Sequence, residues 1–234
     1  MVKYGFMLAA PILAMLLVAP PTKAELARYV YPLAKPIRCP KILIDTKEAP
    51  DLQAWAETAR SLATSWFPQL CQLLATEEFK RPKSLRFVFR AKQDAPAYCA
   101  GDEISFSAEW VRKYPDDLGI VIHELTHVVQ AYPANKNDVG WLVEGIADYT
   151  RWWRYEPEAP RTRIDFSRAS YRDAYRTTAA WLAWTSQRYD LRLVPALDRN
   201  LRRAEDPMPT FVKFTGKTAD ALWAEFREAS QPKR

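Results

Sequence analysis

Histidine is nearly absent from this chain: two residues in 234, at positions 123 and 127. Any chemistry that needs an imidazole must use one or both of them. Cysteine is also scarce, with only Cys39, Cys71 and Cys99, and no two stand at CxxC spacing. That argues against a zinc site built on thiolates. In an oxidising compartment two of the three can pair and leave one over, and sequence does not say which two. A large excess of one charge is missing as well. The formal net charge is +6, with Lys and Arg scattered among Asp and Glu. This is not the footprint of a nucleic-acid-binding chain; it is compatible with attraction to anionic surfaces or cell-wall polymers. No internal repeat or low-complexity tract is visible, and 234 residues make one domain, or one domain plus a processed segment. What is present suffices for a core: 48% hydrophobic residues and nine tryptophans.

The two histidines lie four apart in His-Glu-Leu-Thr-His, His123 to His127. Around them Leu118, Val121, Ile122, Leu125, Val128 and Val129 form one apolar stripe at helical spacing. Residues i and i+4 share a helix face, so both imidazoles can reach one metal ion, on the side away from the stripe. Asp116 and Asp117 are expected near the helix start, and Pro133 ends the pattern. A chance HExxH is the bland alternative; the well-supported helix and the segment that follows weigh against it. A zinc site of this kind needs three protein ligands and an open position. The variant with a third histidine would require Gly at 130 and His at 133, where the chain has Gln130 and Pro133. A glutamate on the next helix fits instead, in Trp-Leu-Val-Glu-Gly-Ile-Ala-Asp-Tyr, 141 to 149. There Glu144 would complete the metal site, and Asp148, four residues on, would hydrogen-bond the far nitrogen of a ligand histidine. Gly145, one of six glycines, would let the two helices approach closely. An ordinary acidic helix face is the plainer reading of Glu144 and Asp148.

Elsewhere Lys41 to Asp45 reads as a short strand, and Pro50-Asp51 opens a helix with Leu52, Trp55, Ala56, Ala59, Leu62, Ala63 and Trp66 at core spacing. Ser84 to Arg90 alternates, which predicts a half-buried strand with Leu85, Phe87 and Phe89 inward. Ala97 to Ser107 looks like two short strands around Gly101-Asp102. The basic-aromatic stretch Arg151 to Tyr155 would be either a recognition patch or, as the favoured reading, a continuation of the preceding helix into the core. Helices are expected over Tyr171 to Tyr189 and over two amphipathic segments, Pro209 to Phe214 and Thr218 to Phe226, broken at Gly216-Lys217. Strands early and helices late argue an α+β protein.

The segments HELTHVVQ, WLVEGIADY, SYRDAYRTTAAWLAW and FTGKTADALW, in that order, resemble the plant basic secretory protein family of peptidases, which has bacterial members. The resemblance runs from about Lys41 to Phe226. It implies a zincin-like fold: a small mixed sheet in the N-terminal half, an HExxH active-site helix, and a mainly helical C-terminal half. It also implies a gluzincin-type Zn2+ site with His123, His127 and Glu144 as ligands, Glu124 as the base, and Asp148 behind a ligand imidazole, that of His123. The chain departs from the family at Ala174-Tyr175, where Gly-Tyr is expected. By analogy with zincins, Tyr98 to Gly101 would be an edge strand that binds extended peptide; a plain edge hairpin is the alternative.

The expected activity is peptide-bond hydrolysis by a secreted or periplasmic metallopeptidase acting on a peptide or protein substrate. Zinc would activate a bound water and polarise the scissile carbonyl, while Glu124 takes the proton and passes it to the leaving amine. A second donor to the developing oxyanion is expected from Tyr175, with Tyr171 the second choice. The rival is a secreted binding protein that keeps zinc for structure alone; Glu124, which has no structural duty at such a site, weighs against it. Lys3, an apolar run, and Thr22-Lys23-Ala24 before Glu25 read as a signal peptide over 1–24, leaving residues 25–234 as the metallopeptidase domain. An uncleaved membrane anchor is the competing reading, and Pro11 with the short apolar run counts against a stable span.

Overall fold

Four short runs rich in β-branched and aromatic residues make the sheet: β1 Lys41–Asp45, β2 Ser84–Arg90, β3 Ala97–Ala100 and β4 Glu103–Ser107. In a computed structural model that describes residues 37–74, 79–161 and 163–231, they lie in the order β1-β2-β4-β3. The expected signal segment and its cleavage site lie outside the described residues. β1 and β4 both run parallel to β2, and β3 turns back on β4 through Gly101 at φ 63°. The hairpin order therefore puts β3 at the sheet edge. Leu85, Phe87 and Phe89 are buried as the alternation predicts, but so is Val88 on the opposite face. Its register partner Ser105 is hydrogen-bonded to Gln93, so the loop after β2 covers that face as well.

A 3-10 turn at Pro50–Leu52 leads into helix α1, Gln53–Leu73. Its Ala56, Ala59 and Ala63 are fully buried, small enough to bring the helix close to its neighbours. Trp55 meets Phe89 and Phe106 edge-on, with ring centres 5.8 and 5.5 Å apart. The helix runs past Trp66 and through Pro68 to Leu73 because Phe67, Leu70 and Cys71 continue its buried face. Helix α2, Ala108–Lys113, was not foreseen; the Ser107 hydroxyl caps it by accepting from the Trp110 N–H.

Helix α3, Gly119–Gln130, carries the two histidines, and α4, Gly140–Tyr149, carries Glu144 and Asp148. After Tyr149 the chain does continue the helix, but as a wider π-helical turn, Thr150–Tyr155. It is half-buried rather than core: Tyr155 packs edge-on against Trp66 at 5.3 Å, while Trp152 and Trp153 line an open groove. Helix α5, Tyr175–Arg188, starts four residues later than the sequence suggests. Tyr171 stays outside it because its ring fills the core against Trp141 and Trp181, and its hydroxyl donates to Asp220 at 3.0 Å. Three helices close the chain: α6 Leu193–Arg202, which sequence reading missed, α7 Met208–Thr215 and α8 Ala219–Ala229. Gly216, at φ 73°, ends α7 where the break was expected.

The protein is thus mixed α/β, with a four-stranded sheet early and helices late. No helix among the described residues is long and apolar enough to cross a membrane. Cys39, Cys71 and Cys99 form no disulfide with one another in this structure; they sit before β1, within α1 and on β3.

Candidate metal centre

Helix α3 is buried on nearly all sides, between α1, β3, α4 and the π-helical turn. Val121, Ile122, Leu125 and Val129 face the core as their spacing requires. The aspartates before it do not cap it. Its first residues have no side-chain cap, and Asp117 instead pairs with Arg151 of the π-helical turn and accepts from the Trp110 indole at 3.0 Å. That turn packs tightly on the start of α3 because Gly119 lacks a side chain; a Cβ there would stand 2.4 Å from a Glu156 carboxylate oxygen. Thr126 and Thr150 hydroxyls hydrogen-bond across the same contact at 2.6 Å. At its other end α3 turns out at Ala131, φ 34°, and the Arg202 guanidinium of α6 donates to the carbonyls of Gln130 and Val129 at 3.0 and 3.1 Å. A cation on the last turn satisfies orphan carbonyls and complements the helix dipole.

One turn apart on α3, His123 and His127 bring their Nε2 atoms within 3.2 Å of each other. Glu144 reaches the same point from α4: its Oε2 lies 3.2 Å from Nε2 of His123 and 3.5 Å from Nε2 of His127. Each imidazole is oriented from behind. Nδ1 of His123 donates to Asp148 Oδ1 at 2.8 Å, and Nδ1 of His127 donates to Gln130 Oε1 at 2.7 Å. The Gln130 amide is itself oriented, because its Nε2 donates to the Val143 carbonyl at 3.0 Å. With both Nδ1 atoms committed to these acceptors, both Nε2 atoms converge with a carboxylate oxygen on one point. Donors held at about 2.0–2.1 Å by a tetrahedral ion stand about 3.3 Å apart. The observed separations fit, and the three residues form a group able to hold a metal ion.

The electrostatics register the same demand for positive charge. Burial disfavours the charged imidazole of His123, yet hydrogen bonds to Asp148 and Glu144 outweigh it and raise its pKa to about 9. Burial likewise opposes the Glu144 carboxylate, but hydrogen bonds from both histidines pull its pKa down to about 2. Glu124 follows His123 yet stands outside the ligand group. It is only 6% exposed, burial raises its pKa, and its carboxylate accepts the backbone N–H of Cys99 on β3.

These groups line a cleft of about 880 Å³, rimmed by Tyr98 and Cys99 of β3 on one side and by the start of α5 on another. Tyr175, 55% exposed, lays its ring over His123 with centres 6.2 Å apart and planes 17° from parallel. The charge on Glu144 raises its phenol pKa, ahead of burial. Tyr171, the second candidate donor, is 6% exposed and turned into the core, so it does not enter the cleft. Gly145 has a different neighbour from the one expected. A Cβ there would stand 2.2 Å from Thr178, so the glycine brings α4 close to α5, not to α3. Sequence reading also missed Gln130 and Arg202. Gln130 stands three residues after His127, a helical neighbour position that could have flagged it; Arg202 leaves no such local signal.

The fold and site define a class: a mixed α/β protein in which adjacent helices bring two imidazoles and a carboxylate together in a cleft, as a group that can hold a metal ion. A family model described as peptidase of plants and bacteria matches residues 56–226. The chain belongs to that family, the basic secretory protein family. Comparison with curated proteins gave no match, and neither did comparison with solved structures.

Proposed function

We propose that this protein is an exported, zinc-dependent peptidase with a zincin-like fold and a glutamate as third ligand. The observation that carries the reading is the convergence of two lone-pair nitrogens and the Glu144 carboxylate beside a buried glutamate that takes no part in the group. Zinc held there supplies a Lewis acid and a water of lowered pKa. Glu124 receives a proton and returns it to the leaving amine; burial raises its pKa, which strengthens it as a base. Tyr175 keeps its phenolic proton at neutral pH and donates it as a hydrogen bond to the carbonyl oxygen that gains charge. Asp148 and Gln130 hold the two imidazoles in the tautomer that faces the metal. β3 is the edge strand of the sheet and rims the cleft, where an extended peptide can add as a strand.

Glu124→Ala is expected to retain stoichiometric zinc while peptide hydrolysis falls by orders of magnitude. An unchanged hydrolysis rate at equal zinc loading would overturn the mechanism. A zinc-loaded wild type that cleaves nothing in a broad peptide library would make it a binding protein with structural zinc. Export rests on the N-terminal pattern, and N-terminal sequencing of exported material should read from Glu25.

A further inference from the structure

Beside the metal cleft lies a second groove, of about 790 Å³, that the catalytic reading leaves without a role. Its walls are aromatic: Trp152 and Trp153 from the π-helical turn, Phe166 from the loop before α5, Trp184 from α5 and Phe226 from α8. The basic-aromatic stretch after Glu144 is therefore turned half outward instead of being absorbed by the core. Two residues, Trp152 and Arg176, line both the groove and the candidate metal cleft, so the two spaces adjoin. The Arg151 and Arg176 guanidiniums lie 4.3 and 4.2 Å from the centre of the Trp152 ring and fix it at the junction.

Arginines outnumber acids around this groove. Arg163 and Arg176 belong both to it and to a smaller recess beside it, which Arg168 also lines, and all three arginines are exposed. Two acids share these walls and are held in their own turns, Asp165 also lying within the field of Arg163. Asp165 accepts from the N–H and hydroxyl of Ser167, and Asp173 accepts from the Ser170 N–H at 2.8 Å. Arg161 frames the groove in a different way, donating to the carbonyls of Trp152 and Pro157. Exposed arginines are commonly just a solvated face, but these surround an aromatic hollow that adjoins a cleft.

We infer that this groove is a second binding site for the peptide substrate, taking an acidic segment that carries an aromatic side chain. The inference rests on the peptidase reading for what occupies the cleft next door. Carboxylates would meet Arg163, Arg168 and Arg176 while the aromatic side chain enters the hollow between Trp153 and Trp184. The peptide backbone would continue past Trp152 to the rim formed by β3. A uronic-acid polymer could satisfy the arginines, but it could not pair with a strand edge.

Binding can be read without catalysis, using zinc-loaded Glu124→Ala and fluorescein-labelled 12-residue peptides. One probe carries a single Phe flanked by Glu; matched probes carry Gln or Lys in place of Glu. The acidic probe is expected to bind about tenfold tighter than the Gln probe, and the preference should collapse in 0.5 M salt. Adding Arg163→Ala and Arg168→Ala should bring the ratio close to one, and Glu at both positions should favour the Lys probe. Equal binding of the acidic and Gln probes, or a preference that survives both arginine replacements, overturns the inference. So does displacement of the acidic probe by polygalacturonate at lower concentration than by unlabelled acidic peptide. A charge-dependent site lost with the arginines, in a protein that hydrolyses no peptide, would leave the groove standing and remove only the peptidase reading.

Discussion

At the scale of single residues, the candidate centre is shaped by groups outside the set that could hold a metal ion. Asp148 and Gln130 decide which nitrogen of each histidine is free, but by different means: one with a charge, the other with a neutral amide held by the Val143 carbonyl. Asp148→Asn keeps the shape and removes the charge. It is expected to lower zinc affinity or hydrolysis by about 10–100-fold, measured by competition with a chromogenic chelator and by peptide turnover. The residues of this inner set follow directly from sequence, because i, i+4 spacing on two helices is a local property. Gln130 was less visible: its role depends on an amide orientation imposed by α4, not by α3.

At the scale of elements, the start of α5 carries strain. Ala174 adopts φ 64° and ψ −170°, and Tyr175, the first residue of α5, follows at φ 44°. The first of these lies in a backbone region that is essentially reserved for glycine and costs on the order of 1–3 kcal/mol for another residue. Two successive positive φ values turn the chain so that the Tyr175 ring covers His123. Ala174→Gly is expected to raise the melting temperature by a few degrees, since relief of strain exceeds the added freedom of the unfolded chain. Ala174→Val should lower it. Tyr175→Phe keeps the ring and removes the donor; kcat should fall by about 10²-fold, with KM changed far less. An unaltered kcat would take Tyr175 out of the chemistry. The same element explains a misread boundary. Helical periodicity extends back to Tyr171, but the core claimed that ring first, held by Trp141, Trp181 and Asp220.

At the scale of the whole molecule, the metal group joins α3 to α4, so its occupancy should be felt globally. Zinc at about 100 times its dissociation constant stabilises the folded state by about 2.7 kcal/mol. For a chain of this size that corresponds to a shift in melting temperature of roughly 5–10 °C, and chelation followed by calorimetry should reveal it. The metal-free protein should add a pH dependence of its own. His123 has its pKa raised from 6.5 to about 9, so its imidazolium contributes stability that is complete below pH 6.5 and disappears as pH rises through 9. Glu144, lowered from 4.5 to about 2, contributes stability that is complete above pH 4.5 and lost as pH falls toward 2. Zinc replaces the shared proton, so the loss above pH 6.5 should vanish when zinc is added. A melting temperature indifferent to both zinc and chelator would argue against a bound metal.

By itself the sequence determined which residues could meet and on which face of which element. The two-residue alternation of β2, the stripe opposite His123 and His127, and the spacing of Glu144 and Asp148 are all set by backbone geometry within one element. Sequence could not decide which faces then pair. Gly145 was expected to serve the contact between α3 and α4, but its missing side chain makes room for Thr178 of α5. Arg202, more than seventy residues from His127, closes the metal helix from a helix that sequence reading missed. Tyr175 and Tyr171 are four residues apart and alike in sequence, yet one lies against His123 and the other fills the core. The outward turn of Trp152 and Trp153 likewise follows from a π-helical widening that no periodicity records. Each of these was decided by packing between elements distant in the chain, where the partner surface, and not the local pattern, selects the conformation.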